Sequence, residues 1–60
     1  MTKFHVVWHF ENGAIAMTDV IKAHDAVDAH NKAQKMATNI TVQDSLHRKV
    51  VVGTITRLQT

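Results

Sequence analysis

Five histidines stand among the 60 residues of this chain, which has no cysteine. Neutral imidazole is the commonest metal ligand in proteins. His5 and His9 have the same strand parity but are separated by about 13 Å along a strand, whereas both nitrogens must lie about 2.1 Å from one zinc ion. His24 and Asp28 have the i, i+4 spacing of one helix face, but two ligands do not complete a site. We therefore predict no metal site and no cofactor.

The segment Asp44-Ser45-Leu46-His47 contains the three residue types of a hydrolase triad. Triad members need defined mutual angles, which residues of one short turn rarely achieve. Asp44 and Ser45 are also typical turn and capping residues. Only two glycines are present, Gly13 and Gly53, and they do not form a phosphate-binding loop. The sequence therefore predicts a protein that is not an enzyme.

A compact basic run offers a candidate ligand site. His47, Arg48 and Lys49 are consecutive, and Arg57 follows on the next predicted strand. Such side chains can bind a small anion or the phosphates of a nucleic acid. The net charge of only +2, from seven Lys and Arg against five Asp and Glu, gives the nucleic acid less support. We predict an anion site at these four residues and keep a nucleic-acid-binding module as the alternative.

The elements that position these residues begin with a β-hairpin. All three aromatic residues lie at even positions of the segment 4–10, and therefore on one strand face. Asn12-Gly13 fits a two-residue type I′ turn, which sets Trp8 opposite Met17. The same register puts Asp19 on the apolar face. Either a bulge beside Asp19 turns it outward, or the second strand ends before it.

Helical spacing begins at Ala23. The predicted helix ends near Asn39 in a left-handed conformation. Its packing face is mostly alanine, and small side chains let a helix lie close to aromatic rings on a sheet. The residues predicted on this face are Ala23, Ala26, Val27, Ala29, Ala33, Met36, Ala37 and Ile40.

The last third of the chain is rich in β-branched residues, and Val50 to Leu58 predict a strand. Residues 40–42 are interpreted as a further short strand, with a helical turn over residues 41–48 as the alternative. Apolar residues on both faces at 50–52 favour a central strand or a covered second face. The predicted fold is one α+β domain over residues 1–60. It has an antiparallel sheet made of the N-terminal hairpin and one or two C-terminal strands, with one helix on one face, in the order ββα(β)β.

Sixty residues lie near the lower limit for a core that is stable alone, and no disulfide can form. A second copy is a common remedy, so we predict a homo-oligomer. Val7, Ala16 and Val20 fall on the second sheet face, which favours a contact surface there. The last strand is the other predicted interface, through its alternate residues Val50, Val52, Thr54, Thr56 and Leu58.

No signal peptide or membrane-spanning pattern is present, which predicts a cytoplasmic protein without membrane contact. The size and the strand–helix–strand organisation resemble those of accessory proteins of phages and mobile elements. Many of those act as inhibitors that bind and block a host factor. The sequence thus predicts a non-catalytic, self-associating protein that acts by stoichiometric binding of a protein partner or a small anionic ligand.

Overall fold

The computed structural model describes residues 1–58. Strands β1 (Thr2–Phe10) and β2 (Ile15–Ala23) precede helix α1 (Ala26–Gln43), and β3 (Val50–Arg57) follows it. The strands form one antiparallel sheet in the order β2-β1-β3, and α1 covers one face. The predicted α+β fold is confirmed, with the order ββαβ. The central strand is β1, since it pairs with both others, so β3 lies at an edge and not at the centre.

The hairpin follows the predicted register from Thr2 to Trp8. Asp19 therefore lies opposite Val6, and β2 continues past it without a bulge there. The sequence predicted either a bulge beside Asp19 or an earlier end of the second strand, and both predictions are wrong. Asp19 is exposed because it lies on an edge strand at the margin of the covered face. Its Oδ1 accepts a hydrogen bond from the Val20 N–H at 2.8 Å.

The hairpin loop has three residues, 11–13, and not the two predicted. The Phe10 N–H donates to the Ala14 carbonyl at 2.8 Å, and the Gly13 N–H donates to the Phe10 carbonyl at 2.9 Å. A type I′ turn needs positive φ at both central residues. Gly13 has a φ of 89°, but Asn12 does not have a positive φ. The observed loop matches a type I turn followed by a left-handed glycine.

The start of α1 is set by reciprocal capping. Asp25 Oδ1 accepts a hydrogen bond from the Asp28 N–H at 2.8 Å, and Asp28 Oδ2 accepts one from the His24 N–H at 2.9 Å. The helix consequently begins at Ala26. Ala23, predicted on the helix, is instead the last residue of β2.

The end of α1 differs from the prediction. The helix runs through Asn39 to Gln43, so residues 40–42 are helical and the predicted short strand is wrong. Ile40 continues the helical spacing of the packing face and contacts the core. Thr41 Oγ1 accepts a hydrogen bond from the Val50 N–H at 3.0 Å, which joins the last helical turn to the start of β3. Tertiary packing here overrides the β-propensity of Ile, Thr and Val.

Large rings from the sheet meet small residues from the helix. Trp8 is fully buried and Phe4 nearly so, and the three buried helix residues are Ala29, Ala33 and Ala37. The Trp8 indole Nε1–H donates to the Ala33 carbonyl at 2.9 Å. The predicted packing of the aromatic residues against the alanine face is confirmed at these positions.

The margins of this contact are less buried than predicted. Phe10 is half-buried. Ala26 and Val27 were predicted on the packing face but are exposed, and Val27 keeps 70% of its surface. They precede the part of the helix that lies over the aromatic rings.

A bulge at Gly53 explains the irregular alternation of β3. The register with β1 shifts by one residue between Val7 and Trp8. Directly opposed residues share a face, so Val52 faces the helix before the shift and Ile55 faces it after the shift. A Cβ at Gly53 would overlap the His9 ring, so this close approach requires glycine.

We expect Ala33→Leu to destabilise the protein by about 1–3 kcal/mol, since extra methyl groups must force the helix away from Trp8. Lys35→Leu, at an exposed position in the middle of the helix, is the control and should change the free energy of unfolding by less than about 0.5 kcal/mol. Urea unfolding followed by Trp8 fluorescence measures both. Equal stabilities of the two variants would contradict the close helix–sheet contact.

Candidate functional site

The sheet has a second face that α1 does not cover, here called the open face. Its residues are assigned from the strand registers, because directly opposed residues point to the same side. From the hairpin loop downward, its rows are Ile15, His9 and Val51; Thr18, Val7 and Thr54; Val20, His5 and Thr56; and Lys22 with Lys3.

The open face carries four apolar side chains, which alternate with histidines and threonines: Ile15, Val7, Val20 and Val51. Val7 is half-buried by its neighbours on the sheet. Ile15, Val20 and Val51 are exposed by 62%, 47% and 40%. An exposed apolar patch with a polar rim typically marks an interaction site. The open face is therefore the strongest candidate contact surface of the chain.

Charge is unevenly distributed along the open face. Lys3 and Lys22 oppose each other at one end, and both are exposed. Glu11 lies in the hairpin loop at the other end, roughly 23 Å away by strand rise. No acidic residue among the described residues lies on the open face between them. One end is thus basic, and the loop beyond the other end carries one carboxylate, Glu11, with Arg48 and Lys49 nearby.

The two edges of the sheet carry features that hinder pairing with another strand. On β2, Asp19 binds the Val20 N–H, and Lys32 Nζ donates to the Lys22 carbonyl at 2.9 Å. On β3, the bulge at Gly53 interrupts the regular ladder. Inward charges and bulges are common protections of edge strands. These features favour the open face over an edge for contact with a partner.

In the predicted basic site, Arg48 is already engaged within the chain. Its Nη2 donates to Asp44 Oδ1 at 2.9 Å, and its Nε donates to Asp44 Oδ2 at 3.1 Å. The guanidinium carbon also lies 4.1 Å from the centre of the Phe10 ring. This two-point contact lowers the pKa of Asp44 well below its usual value of 3.8. Arg48 thus holds the α1–β3 loop together.

The structure does not bring the four predicted anion-binding residues together. Residues 47–49 precede β3, near Phe10, whereas Arg57 lies opposite Phe4. Six residues of strand separate these two positions, which corresponds to roughly 20 Å. His47 has a left-handed backbone with a φ of 51°.

The predicted last-strand interface is divided by the Gly53 bulge. Val50 is buried and Val52 half-buried beneath α1, whereas Thr54 and Thr56 lie on the open face. Leu58 is half-buried, and its N–H donates to the Lys3 carbonyl at 2.9 Å.

Sequence reasoning placed Val7 and Val20 on the open face but missed Ile15 and Val51. The placement of Ala16 there was wrong, because Ala16 packs against the core and Ile15 takes its place opposite His9. Ile15 was predicted opposite Phe10, whereas the longer loop and a register shift place it opposite His9. A signal for Val51 was present, since a glycine inside a strand pattern indicates a bulge.

A groove, here called the end groove, lies where the beginning of α1 meets the first residues of β1 and the last residues of β3. Its volume is about 400 Å³. The lining residues are Thr2, Phe4, His24, Asp25, Ala26, His30, Ile55 and Arg57. Sequence spacing could not predict this set of residues, because they come from β1, α1, β3 and the connection between β2 and α1.

No protein-family model, curated protein or solved structure matches this chain. Within residues 1–58, no three side chains of the metal-ligating types gather into a group that could hold a metal ion. The helix described here is not long and apolar enough to cross a membrane.

We expect the contribution of Asp44 to stability to depend on pH. Its carboxylate has a lowered pKa in the folded protein, so its stabilising effect is complete above about pH 5 and is lost as the pH falls through the lowered pKa. Asp44→Asn should therefore have a lower urea midpoint than the wild type at pH 7. The gap should narrow as the pH is lowered from 4 to 2. A gap of constant size would show that the charge of Asp44 does not act through Arg48.

Proposed function

We propose that this chain is a non-catalytic binding protein that acts as a symmetric homodimer, with the two open faces packed against each other. The observation that carries the proposal is the sheet itself, which has a helix on one side and uncovered apolar residues on the other. Sheet-on-sheet packing is a standard way of burying such a face. The occupant that we assign to the open face is a second copy of the chain.

The small size of the core supports self-association. Trp8 and Val6 are the largest fully buried side chains in residues 1–58. The core of one copy is therefore small, and burying a second apolar layer would strengthen it.

The size of the open face sets the expected strength of the contact. Three strands spaced by about 4.8 Å and about 23 Å long cover roughly 330 Å² per copy, which is below the range of stable specific interfaces. We therefore expect a weak, reversible dimer with a Kd above the micromolar range.

Charge favours one orientation of the two copies. In a symmetric pair, the Lys3–Lys22 ends either meet each other or lie over the opposite hairpin loops. The first arrangement brings four lysines together. The second brings Lys22 near Glu11 of the other copy, and opposite charges at an interface fix orientation. We assign the second, antiparallel arrangement.

The nucleic-acid alternative has weaker support. Phe4 and Trp8 are buried beneath α1 and cannot stack on bases. Arg48 is paired with Asp44, which leaves fewer free cations for phosphates. Retention of the protein on an oligonucleotide at low salt, with a steep loss at moderate salt, would favour this alternative.

We expect Val20→Lys to shift the protein towards the monomer, because it places a charge in the apolar part of the interface. The dimer Kd should rise at least tenfold, measured by sedimentation equilibrium across concentrations around the wild-type Kd. Val42→Lys is the matched control, since Val42 is 64% exposed but lies on the helix. This control should dimerise like the wild type.

Three results would contradict the open-face dimer. Sedimentation of the wild type as a monomer at millimolar concentration would exclude it. Equal loss of the dimer in Val42→Lys and Val20→Lys would place the contact on the helix side or indicate a general charge effect. An unchanged dimer in Val20→Lys would place the contact elsewhere.

We expect a charge exchange to report the orientation. Lys22→Glu should weaken the dimer about threefold to tenfold, because it places like charges near Glu11 of the other copy. Adding Glu11→Lys to the same chain should restore most of the affinity, measured by the same sedimentation experiment at low salt. Failure of the second change to restore the dimer would contradict the antiparallel arrangement.

A further inference from the structure

We propose that the end groove binds a small organic anion, with the carboxylate or phosphate group at Arg57 and the carbon skeleton against Phe4 and Ile55. The inference rests on the proposed function of a binding protein and names a class of ligand for it. The groove lies at the end of the helix-covered side, away from the open face. Its lining comes from α1, β1, β3 and the connection before α1.

Arg57 is the group that recognises the negative charge. It lies opposite Phe4 on the helix-covered side of the sheet, and it is exposed. Within residues 1–58, Arg57 has no acidic side chain within ion-pair distance, whereas Arg48 is paired with Asp44. A guanidinium presents a planar set of donors that matches a carboxylate or a phosphate.

Phe4 and Ile55 give the groove its preference for an organic ligand. Phe4 is 3% exposed and Ile55 is half-buried, so the groove reaches the core at its base. A volume of about 400 Å³ lies in the range of small-molecule sites, which are mostly apolar with a few polar groups that orient the ligand. An inorganic anion would leave this apolar surface uncovered.

The remaining polar groups of the groove are consistent with an anionic ligand. His24 and His30 supply imidazole groups, which can donate hydrogen bonds to an anion. Asp25 is the acidic residue among the lining residues, and its Oδ1 accepts the hydrogen bond that caps α1. The groove thus combines two histidines, a carboxylate that accepts the capping hydrogen bond of the helix, and an arginine that has no ion-pair partner within residues 1–58.

The test is an NMR titration of the full chain with benzoate at pH 6, followed through the Arg57 side chain and the His24 and His30 rings. We expect saturable shifts at these groups. Arg57→Gln should weaken binding at least fivefold. Lys49→Gln removes a cation at the far end of β3 and should leave the benzoate affinity unchanged. An amide spectrum of Arg57→Gln that matches the wild type away from the groove confirms that it is folded.

Two further probes separate the parts of the proposal. Benzyl alcohol has the aromatic ring of benzoate without its charge, whereas inorganic phosphate has a negative charge without the ring. Both should bind at least fivefold more weakly than benzoate. Equal binding of benzyl alcohol would exclude recognition of an anion, and equal binding of phosphate would exclude the apolar contact. Absence of saturable shifts with benzoate, or the same affinity in Arg57→Gln, would overturn the site.

The proposed ligand site in the end groove and the proposed dimer can be tested independently. Val20→Lys, which weakens the proposed dimer, should bind benzoate with the wild-type affinity. Sedimentation reports the dimer in the absence of benzoate. A monomeric wild type that still binds benzoate at Arg57 would overturn the dimer and support the groove.

Discussion

The hydrogen bond from the Trp8 indole to the Ala33 carbonyl is the contact on which the rest of this fold depends. A buried indole N–H needs an acceptor, and here the acceptor is a helix carbonyl 2.9 Å away. The helix can come that close only because Ala29, Ala33 and Ala37 are small. The small size of these three alanines also limits the apolar volume that α1 adds to the core. The core between helix and sheet is therefore thin, and the second face of the sheet stays uncovered.

Elements with a regular period were predictable from the sequence. Alternating residues placed Phe4 and Trp8 in the core, and the alanine spacing located the helix that covers them. Single-residue irregularities were not predictable in the same way. The longer hairpin loop moved Ile15 to the open face, and the Gly53 bulge divided the last strand between two faces. One added residue reverses the direction of every side chain beyond it, so a small local error changes the composition of a whole surface.

The candidate sites show a related limit. The basic run at residues 47–49 was visible as a local cluster, but its arginine serves the loop through Asp44 and Phe10. Arg57 was identified by its charge, yet its neighbours in the end groove come from the start of α1 and from β1. The i, i+4 rule for pairing applies to a helix surface and does not cover Asp44 and Arg48, because α1 ends at Gln43 and His47 has a left-handed backbone. Proximity between the two ends of the chain depends on the full topology, which local patterns do not contain.

The open face and the end groove are compatible in one assembly. In the antiparallel dimer that we propose, each Lys3–Lys22 end would lie over the hairpin loop of the other copy. Each end groove is near the Phe4–Arg57 end of its own chain, so the two grooves are at opposite ends of the dimer. Because one copy measures 36 Å along its longest axis, a small ligand in one groove cannot touch the other. In that proposed dimer, self-association would cover the open face, while the end groove of each chain would remain open to a ligand.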